Sequence, residues 1–132
     1  MLVEERTYTT HPGRWRDYLA LFEAEGLAIQ HRILGRMVGY YTTEFGELNQ
    51  IVHMWAYQDL NERAERRATL LADPGFKAYV AKMLPLLQRQ ESRILRPAPF
   101  FQPQWRESGS SSTHQENTLA PVQRFDARGA SA

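Results

Sequence analysis

The spacing of apolar side chains along the chain predicts a strand followed by a helix at the N-terminal end. Residues 2–9 alternate weakly between apolar and polar positions and contain Thr and Tyr, as strands often do. From Arg14 onward the apolar positions recur every three or four residues, which is the period of an amphipathic helix. That stripe consists of Trp15, Tyr18, Leu19, Phe22, Gly26, Ile29 and Ile33. Gly35 then provides a stop signal for the helix.

A hairpin is predicted next, because residues 36–45 and 48–57 are both rich in aromatic and β-branched side chains. The Gly-Glu pair between them is short enough for a tight reversal of the chain. Asp59, followed three residues later by Glu62, resembles a capping box and predicts a helix that runs to Leu71.

The Asp-Pro-Gly sequence at 73–75 predicts that the second helical region restarts there, because Asp can cap a helix and Pro suits its first turn. Pro85 should kink or end this helix near Leu84. Residues 90–95 predict a last strand, which the prolines that follow would stop.

The predicted order is strand, helix, strand, strand, helix, strand, so we expect an α+β fold of the ferredoxin-like type. In this fold an antiparallel sheet has both helical regions on one face. We expect a single domain over residues 1–101 and a flexible tail over 102–132, because Ser-rich composition at 108–113 and few apolar residues are typical of mobile chain. Phe125 is the one side chain of the tail that could anchor it.

The third strand presents two different faces. One carries Gln50, Val52, Met54 and Ala56, and the other carries Asn49, Ile51, His53, Trp55 and Tyr57. We predict that the smaller apolar set contacts the helices and that the aromatic set faces away from them. Glu4, Arg6 and Tyr8 of the first strand are expected on the same outward face, although the opposite assignment of that strand is open because Val3, Glu5 and Thr7 make a poor core stripe.

An outward face with this many aromatic side chains is too apolar for water, so we expect a second copy of the chain to cover it. The prediction is a homodimer, a dimeric α/β barrel whose two sheets enclose a partly polar interior. A small molecule could bind in that interior.

Composition excludes several classes of function. The 132 residues carry 16 Lys and Arg against 15 Asp and Glu, and no basic block points to nucleic acid. The absence of Cys excludes disulfides and thiolate metal sites. No signal-like start and no apolar run of roughly 18 residues occurs, so we expect no membrane segment and a cytoplasmic protein.

Four stretches resemble one known family, the NIPSNAP family of the dimeric α+β barrel superfamily. They are EERTYT at 4–9, VGYYTTEFGELNQIVHMWAYQDL at 38–60, RRATLLADPGF at 66–76 and QESRIL at 90–95. The resemblance covers residues 2–101 and implies a ferredoxin-like protomer that pairs into a barrel. It supplies no agreed reaction. Eukaryotic members are linked to mitochondria, a location that we do not carry over because no presequence precedes the first strand.

Candidate catalytic chemistry centres on His53, whose ordinary pKa of about 6.5 suits proton transfer. Glu44 or Glu4 could complete an acid–base pair with it, or His53 could be a buried interface residue with a single hydrogen bond. Asn49 and Trp55 lie on the same predicted strand face. Similar residues occur in haem-degrading and cofactor-independent monooxygenases of the related superfamily, so an oxygenase or isomerase is an alternative to simple binding.

The remaining candidates are ligand-binding residues. Glu4 and Arg6 could pair with each other or with Glu44, or Arg6 could hold a ligand carboxylate through its planar fork. Tyr8 and Tyr40 would add to a polar-aromatic pocket wall. No His spacing predicts a metal site, so a mononuclear site built from His53 and Glu44 is the single alternative of that kind. No nucleotide or cofactor motif is present. We therefore expect a small-molecule binding protein without cofactor, with an interface that binds nothing as the third possibility.

Overall fold

The computed structural model describes residues 1–107 and contains four strands and four α-helices. The strands are β1 (Leu2–Thr10), β2 (Arg36–Thr42), β3 (Gln50–Tyr57) and β4 (Leu87–Leu95). The helices are α1 (Trp15–Leu21), α2 (Leu27–Leu34), α3 (Leu60–Ala72) and α4 (Pro74–Met83), with a π-helical segment at Phe22–Gly26 and a 3₁₀ turn at Leu84–Leu86.

The four strands form one antiparallel sheet in the order β2-β3-β1-β4, and the helices pack on one side of it. This confirms the predicted α+β, ferredoxin-like fold. Each predicted helical region is divided in two. The π-helical segment separates α1 from α2, and Asp73 separates α3 from α4.

The predicted helix starts are confirmed. The Asp59 side chain accepts a hydrogen bond from the Glu62 backbone N–H, and Asp73 does the same for Phe76, so each carboxylate caps a helix whose first N–H groups have no helical partner. Pro85 lies in the 3₁₀ turn after α4, as expected for a residue that lacks an N–H and ends a helix.

The prediction of a tight hairpin turn is wrong. The strands stop at Thr42 and resume at Gln50, and residues 43–49 form a longer loop between them. Asn49 has a φ of 62° and accepts a hydrogen bond from the Gly13 backbone N–H through its side-chain oxygen, at 2.9 Å. The loop is therefore hydrogen-bonded to the start of the first helical region. Local turn rules cannot predict this contact, because the two segments are far apart in sequence.

The prediction of which sheet face meets the helices is also wrong. Ile51, Trp55 and Tyr57 are fully buried and belong to the core that the helices share. Val52 and Met54, on the opposite face, are only partly buried. The large aromatic side chains fill the wide gap between sheet and helices, and the smaller set faces outward. We refer to the side of the sheet without helices as the outer face.

The chain after β4 runs back to the other edge of the sheet. The Arg106 backbone N–H donates to the Met37 carbonyl at 3.0 Å, and the Arg106 carbonyl lies 2.8 Å from His31 Nε2. The Arg36 guanidinium lies over the Trp105 ring at 5.8 Å. Residues 105 and 106 thus contact the body of the domain. The rest of the predicted tail, with Phe125, lies outside the described residues. Within residues 1–107 no helix has the length and hydropathy to cross a bilayer.

Candidate functional site

A layer of polar side chains lies between the sheet and the helices, where a core is normally apolar. Its members, called the polar layer below, are Glu4, Arg6, His53, Tyr57, Arg63 and Arg67. Alternation places the first two on the helix side of β1 and the next two on the helix side of β3. The two arginines of α3 lie one turn apart, so they share one face of that helix.

Glu4 is the centre of this layer and is fully buried. Its Oε1 accepts a hydrogen bond from Arg63 Nε at 3.1 Å. Its Oε2 accepts from Arg63 Nη2 at 2.8 Å, Arg6 Nη1 at 3.1 Å and Ser92 Oγ at 2.6 Å. Burial alone would raise the pKa of the Glu4 carboxyl, but the hydrogen bonds and the two positive charges lower it to about 2. Glu4 is therefore a permanent anion that holds two arginines.

Arg6 joins this anion to the aromatic side chains. Its Nε donates to the Tyr8 hydroxyl at 2.8 Å, and its guanidinium lies 5.4 Å from the centre of the Tyr8 ring. Of the two pairings that the sequence left open, the structure contains the one between Glu4 and Arg6. Glu44 lies exposed in the 43–49 loop, and within residues 1–107 it makes no hydrogen bond or ion pair.

Arg67 differs from the other two arginines of the layer. It is partly buried, yet within the described residues its guanidinium makes no side-chain hydrogen bond or ion pair. Burial and the positive charge of Arg6 lower the pKa of Arg67, while the Glu4 charge acts in the opposite direction. The three guanidiniums face a single carboxylate, so the layer carries an excess of positive charge.

His53 is fully buried between two tyrosine rings. It stacks on Tyr40 and meets Tyr8 edge-on, both at 4.8 Å between ring centres. Trp55 Nε1 donates a hydrogen bond to His53 Nδ1 at 2.8 Å. Because an indole N–H can only donate, Nδ1 must be the unprotonated nitrogen, and the neutral ring carries its proton on Nε2.

That tautomer decides what His53 can do. Burial, followed by the charge of Arg6, lowers the pKa of His53 to about 3, so the ring is neutral at ordinary pH. Nε2 has no hydrogen-bond partner within the described residues. His53 thus offers one buried N–H donor, a group suited to hold an acceptor atom and poorly suited to remove a proton.

Further tyrosines extend the layer towards α1. The Tyr18 and Tyr40 hydroxyls lie 2.8 Å apart, and burial raises the pKa of both well above the usual value. Phe22, the first residue of the π-helical segment, stacks on Tyr40 at 4.6 Å. Helical segments with this wider turn are frequent at functional sites. The apolar periodicity of residues 15–33 did not predict this π-helical segment.

Within the polar layer, Tyr57 is the second buried side chain with unused hydrogen-bonding capacity. The side chain is fully buried, and its hydroxyl has no partner in residues 1–107. Burial and then the negative charge of Glu4 raise the pKa of Tyr57 to about 12, so the hydroxyl keeps its proton and can donate. Arg67 is close enough for its charge to affect the pKa of both Tyr57 and His53.

Six of the eight predicted site residues come together on the helix side of the sheet. They are Glu4, Arg6, Tyr8, Tyr40, His53 and Trp55. Glu44 and Asn49 do not join them, because both belong to the 43–49 loop or its end. Sequence reasoning missed Arg63 and Arg67, which lie in a stretch of mixed charge at 62–67. Their spacing of four was a usable signal, but nothing local indicated a buried carboxylate for them to meet.

A depression of about 590 Å³ lies on the outer face of the sheet. Its charged side chains are already paired with one another, as in the contacts of Arg89 with Glu47 and of Arg93 with Glu5. The polar layer is therefore the better candidate, because it contains buried donors and a cation that are not paired.

Comparison with known proteins identifies relatives over most of the described chain. The sequence model of the NIPSNAP family matches residues 3–102. The human protein NipSnap homolog 2 is 34% identical over 100 residues, which cover 73% of this chain and 33% of that protein. The homolog from Dictyostelium discoideum is 35% identical over 94 residues, covering 71% of this chain and 41% of its own length. The chain thus spans well under half the length of these curated relatives.

Solved structures of similar length agree with the fold. A NIPSNAP-like domain protein from Burkholderia xenovorans is 48% identical, with a TM-score of 0.75, and the match covers 80% of this chain and 94% of that one. A NIPSNAP family protein from Agrobacterium tumefaciens is 44% identical at the same TM-score of 0.75, covering 76% and 91%. An antibiotic biosynthesis monooxygenase is only 15% identical, with a TM-score of 0.53 and coverage of 75% and 100%, so it shares the fold alone.

Proposed function

The chain belongs to the NIPSNAP family, and on that premise we propose that it binds a small organic molecule in the polar layer between sheet and helices. Three buried side-chain polar atoms lack a partner in the described residues, His53 Nε2 and the hydroxyls of Tyr57 and Tyr79, and the observation that carries the proposal is that the first two belong to the polar layer. An unpaired buried donor costs about 1–3 kcal/mol, so folded proteins rarely keep one without a use for it.

The two unpaired groups define what the ligand must offer. His53 presents an N–H, and the high pKa of Tyr57 keeps its hydroxyl protonated. Both are donors, so the ligand must bring acceptor oxygens such as those of a carbonyl or carboxylate. Tyr8 and Tyr40, on two sides of His53, would contact the apolar part of the ligand.

The alternative function, a monooxygenase or isomerase that uses His53, Asn49 and Trp55, has less support. The pKa of about 3 leaves His53 too weak a base, and Asn49 holds the Gly13 backbone instead of facing the polar layer. The monooxygenase relative supplies a fold and no residue correspondence. A role for His53 in positioning a ligand agrees better with its tautomer.

A homodimer stays part of the proposal, on different grounds from those given by the sequence. The outer face carries Val52 and Met54, and Tyr41, which pairs with Val52 in the sheet, is 58% exposed. A second copy could cover these side chains. Light scattering at micromolar concentration measures the mass directly, and a monomer would refute this part without affecting the polar layer.

The ligand proposal is tested by native mass spectrometry of freshly purified protein, before and after incubation with a small-molecule extract. We expect a stoichiometric added mass that denaturation releases. Tyr57→Phe should lower the occupancy while leaving the ligand-free protein as stable as before or more so, because the lost hydroxyl had no partner. Tyr41→Phe, which removes an exposed hydroxyl from the outer face, should change neither quantity. A protein that remains bare would contradict the proposal.

A further inference from the structure

One arginine of the polar layer, Arg67, takes no part in the hydrogen bonds of that layer. The Glu4 carboxylate accepts four hydrogen bonds, two from Arg63, one from Arg6 and one from Ser92. A carboxylate has about four lone-pair sites, so these donors fill it. Arg67 follows Arg63 by one turn on the same face of α3, but it donates no hydrogen bond to this carboxylate.

Arg67 nevertheless lies within the field of the layer. Its charge affects the pKa of both Tyr57 and His53, and it is affected in turn by Arg6 and Glu4. A guanidinium that is partly removed from water has lost part of its hydration, which a bound anion would replace. The unpaired Tyr57 hydroxyl nearby is a neutral donor, which a bound anion would also use.

Solvent reaches the edge of the layer beside β4, while Glu4, His53 and Tyr57 are themselves fully buried. The β4 side chains from Gln88 to Ile94 are exposed, among them Ser92, which reaches Glu4. Arg63 has 28% of its side chain exposed. A ligand that arrived along this edge would meet the arginines before it met the buried His53 ring.

We propose that Arg67 and Tyr57, with Arg6 behind them, form an anion-binding subsite that takes a carboxylate or phosphate group of the ligand. The planar fork of Arg67 would hold two oxygens of the anion, and the Tyr57 hydroxyl would donate to one of them. Glu4 serves as the fixed counter-charge that orients Arg6 and Arg63. As a statement about the ligand of the polar layer, this inference rests on the proposed function.

The test is an NMR titration of the full chain that follows the Arg67 Nε–H signal, assigned by its loss in Arg67→Gln. The probes are sodium benzoate for a carboxylate and inorganic phosphate for a phosphoryl group, with sodium chloride at equal ionic strength as the comparison. We expect a saturable shift with benzoate or phosphate and none with chloride. The anion that saturates at the lower concentration identifies the group that the subsite prefers.

Three variants separate specific binding from a general attraction of anions. Arg67→Gln should weaken binding by at least about tenfold, as expected for the loss of a charged hydrogen-bond donor. Arg67→Lys keeps the charge without the fork and should bind benzoate less tightly than the wild type but more tightly than Arg67→Gln. Arg96→Gln, which removes an exposed arginine, should bind like the wild type.

Two results would overturn the subsite. One is the absence of a saturable shift with both anions, and the other is equal affinity in the wild type and Arg67→Gln. Failure of the proposed function has a different signature. If a copurified organic molecule remains bound to Arg67→Gln at full occupancy, the subsite is wrong and the proposed function stands. If anions bind through Arg67 but no organic ligand binds, the subsite stands and the proposed function is wrong.

Discussion

Replacing Glu4 with Gln removes the only carboxylate of the polar layer while keeping its shape. The side chain is fully buried, and its pKa is lowered from the ordinary value of 4.5 to about 2. That difference corresponds to about 3 kcal/mol of folding free energy at neutral pH. Breaking a buried ion pair on one side also leaves Arg6 and Arg63 without their anion, so the loss could reach about 5 kcal/mol.

The pH dependence supplies the sharper test. A carboxyl whose pKa is lower in the folded state stabilises the protein above pH 4.5, and this contribution is lost as the pH falls towards 2. Urea denaturation from pH 7 to pH 3 should therefore show the difference between wild type and Glu4→Gln shrinking in acid. Glu65→Gln, at an exposed position of α3, is the control and should follow the wild type. A difference of less than about 1 kcal/mol at pH 7, or one that does not change with pH, would refute the reasoning.

Two further variants test other parts of the layer. His53 has a folded pKa of about 3 against 6.5 for the unfolded state, so the free energy of unfolding should fall as the pH drops below 6.5. His53→Gln keeps an acceptor for Trp55 and should reduce this loss between pH 7 and 5 in denaturant titrations. Gly26→Ala would place a Cβ 2.9 Å from Phe22 and 3.0 Å from Tyr79, so it should cost about 1–3 kcal/mol by overpacking, despite the better helix propensity of Ala. A lower melting temperature measures this loss, and an unchanged one would mean that the π-helical segment yields without cost.

The parts of the fold that the sequence predicted are those set by local chemistry. Asp59 and Asp73 cap their helices because a carboxylate can accept a hydrogen bond from the free backbone N–H three residues later, whatever the tertiary structure around it. The order of strands and helices followed from apolar periodicity together with β-branched content, capping residues and proline positions. The 43–49 loop was mispredicted because its conformation depends on Asn49 meeting Gly13, a contact between residues far apart in sequence.

The reversal of the sheet faces has a similar origin. Alternation separates Ile51, His53, Trp55 and Tyr57 from Val52 and Met54, but it does not say which set is inside. Polar atoms made the aromatic set look like an outward face. In the structure the Trp55 indole donates a hydrogen bond to His53 Nδ1, so the two polar side chains enter the core as a pair, and only His53 Nε2 of that pair lacks a partner within the described residues.

The site was predictable only on the strand side. Glu4, Arg6 and His53 were recognisable because ionisable side chains stand beside aromatic ones on the same strand faces. Arg63 and Arg67 lie in a helix rich in both charges, where a buried arginine and an exposed one have the same local sequence context. Only the packing of α3 over β1 shows that Arg63 binds Glu4 and that Arg67, one turn later, lies on the same helix face.

The position of the polar layer changes what a dimer could contribute to binding. If the aromatic set faced outward, a ligand would need two sheets to enclose it, and binding would depend on protein concentration. His53 and Tyr57 instead lie between the sheet and the helices of a single chain. The proposed ligand should therefore bind one molecule per chain, with an affinity that stays constant when dilution separates any dimer. An affinity that falls on dilution would mean that a second copy holds the helices in place around the layer.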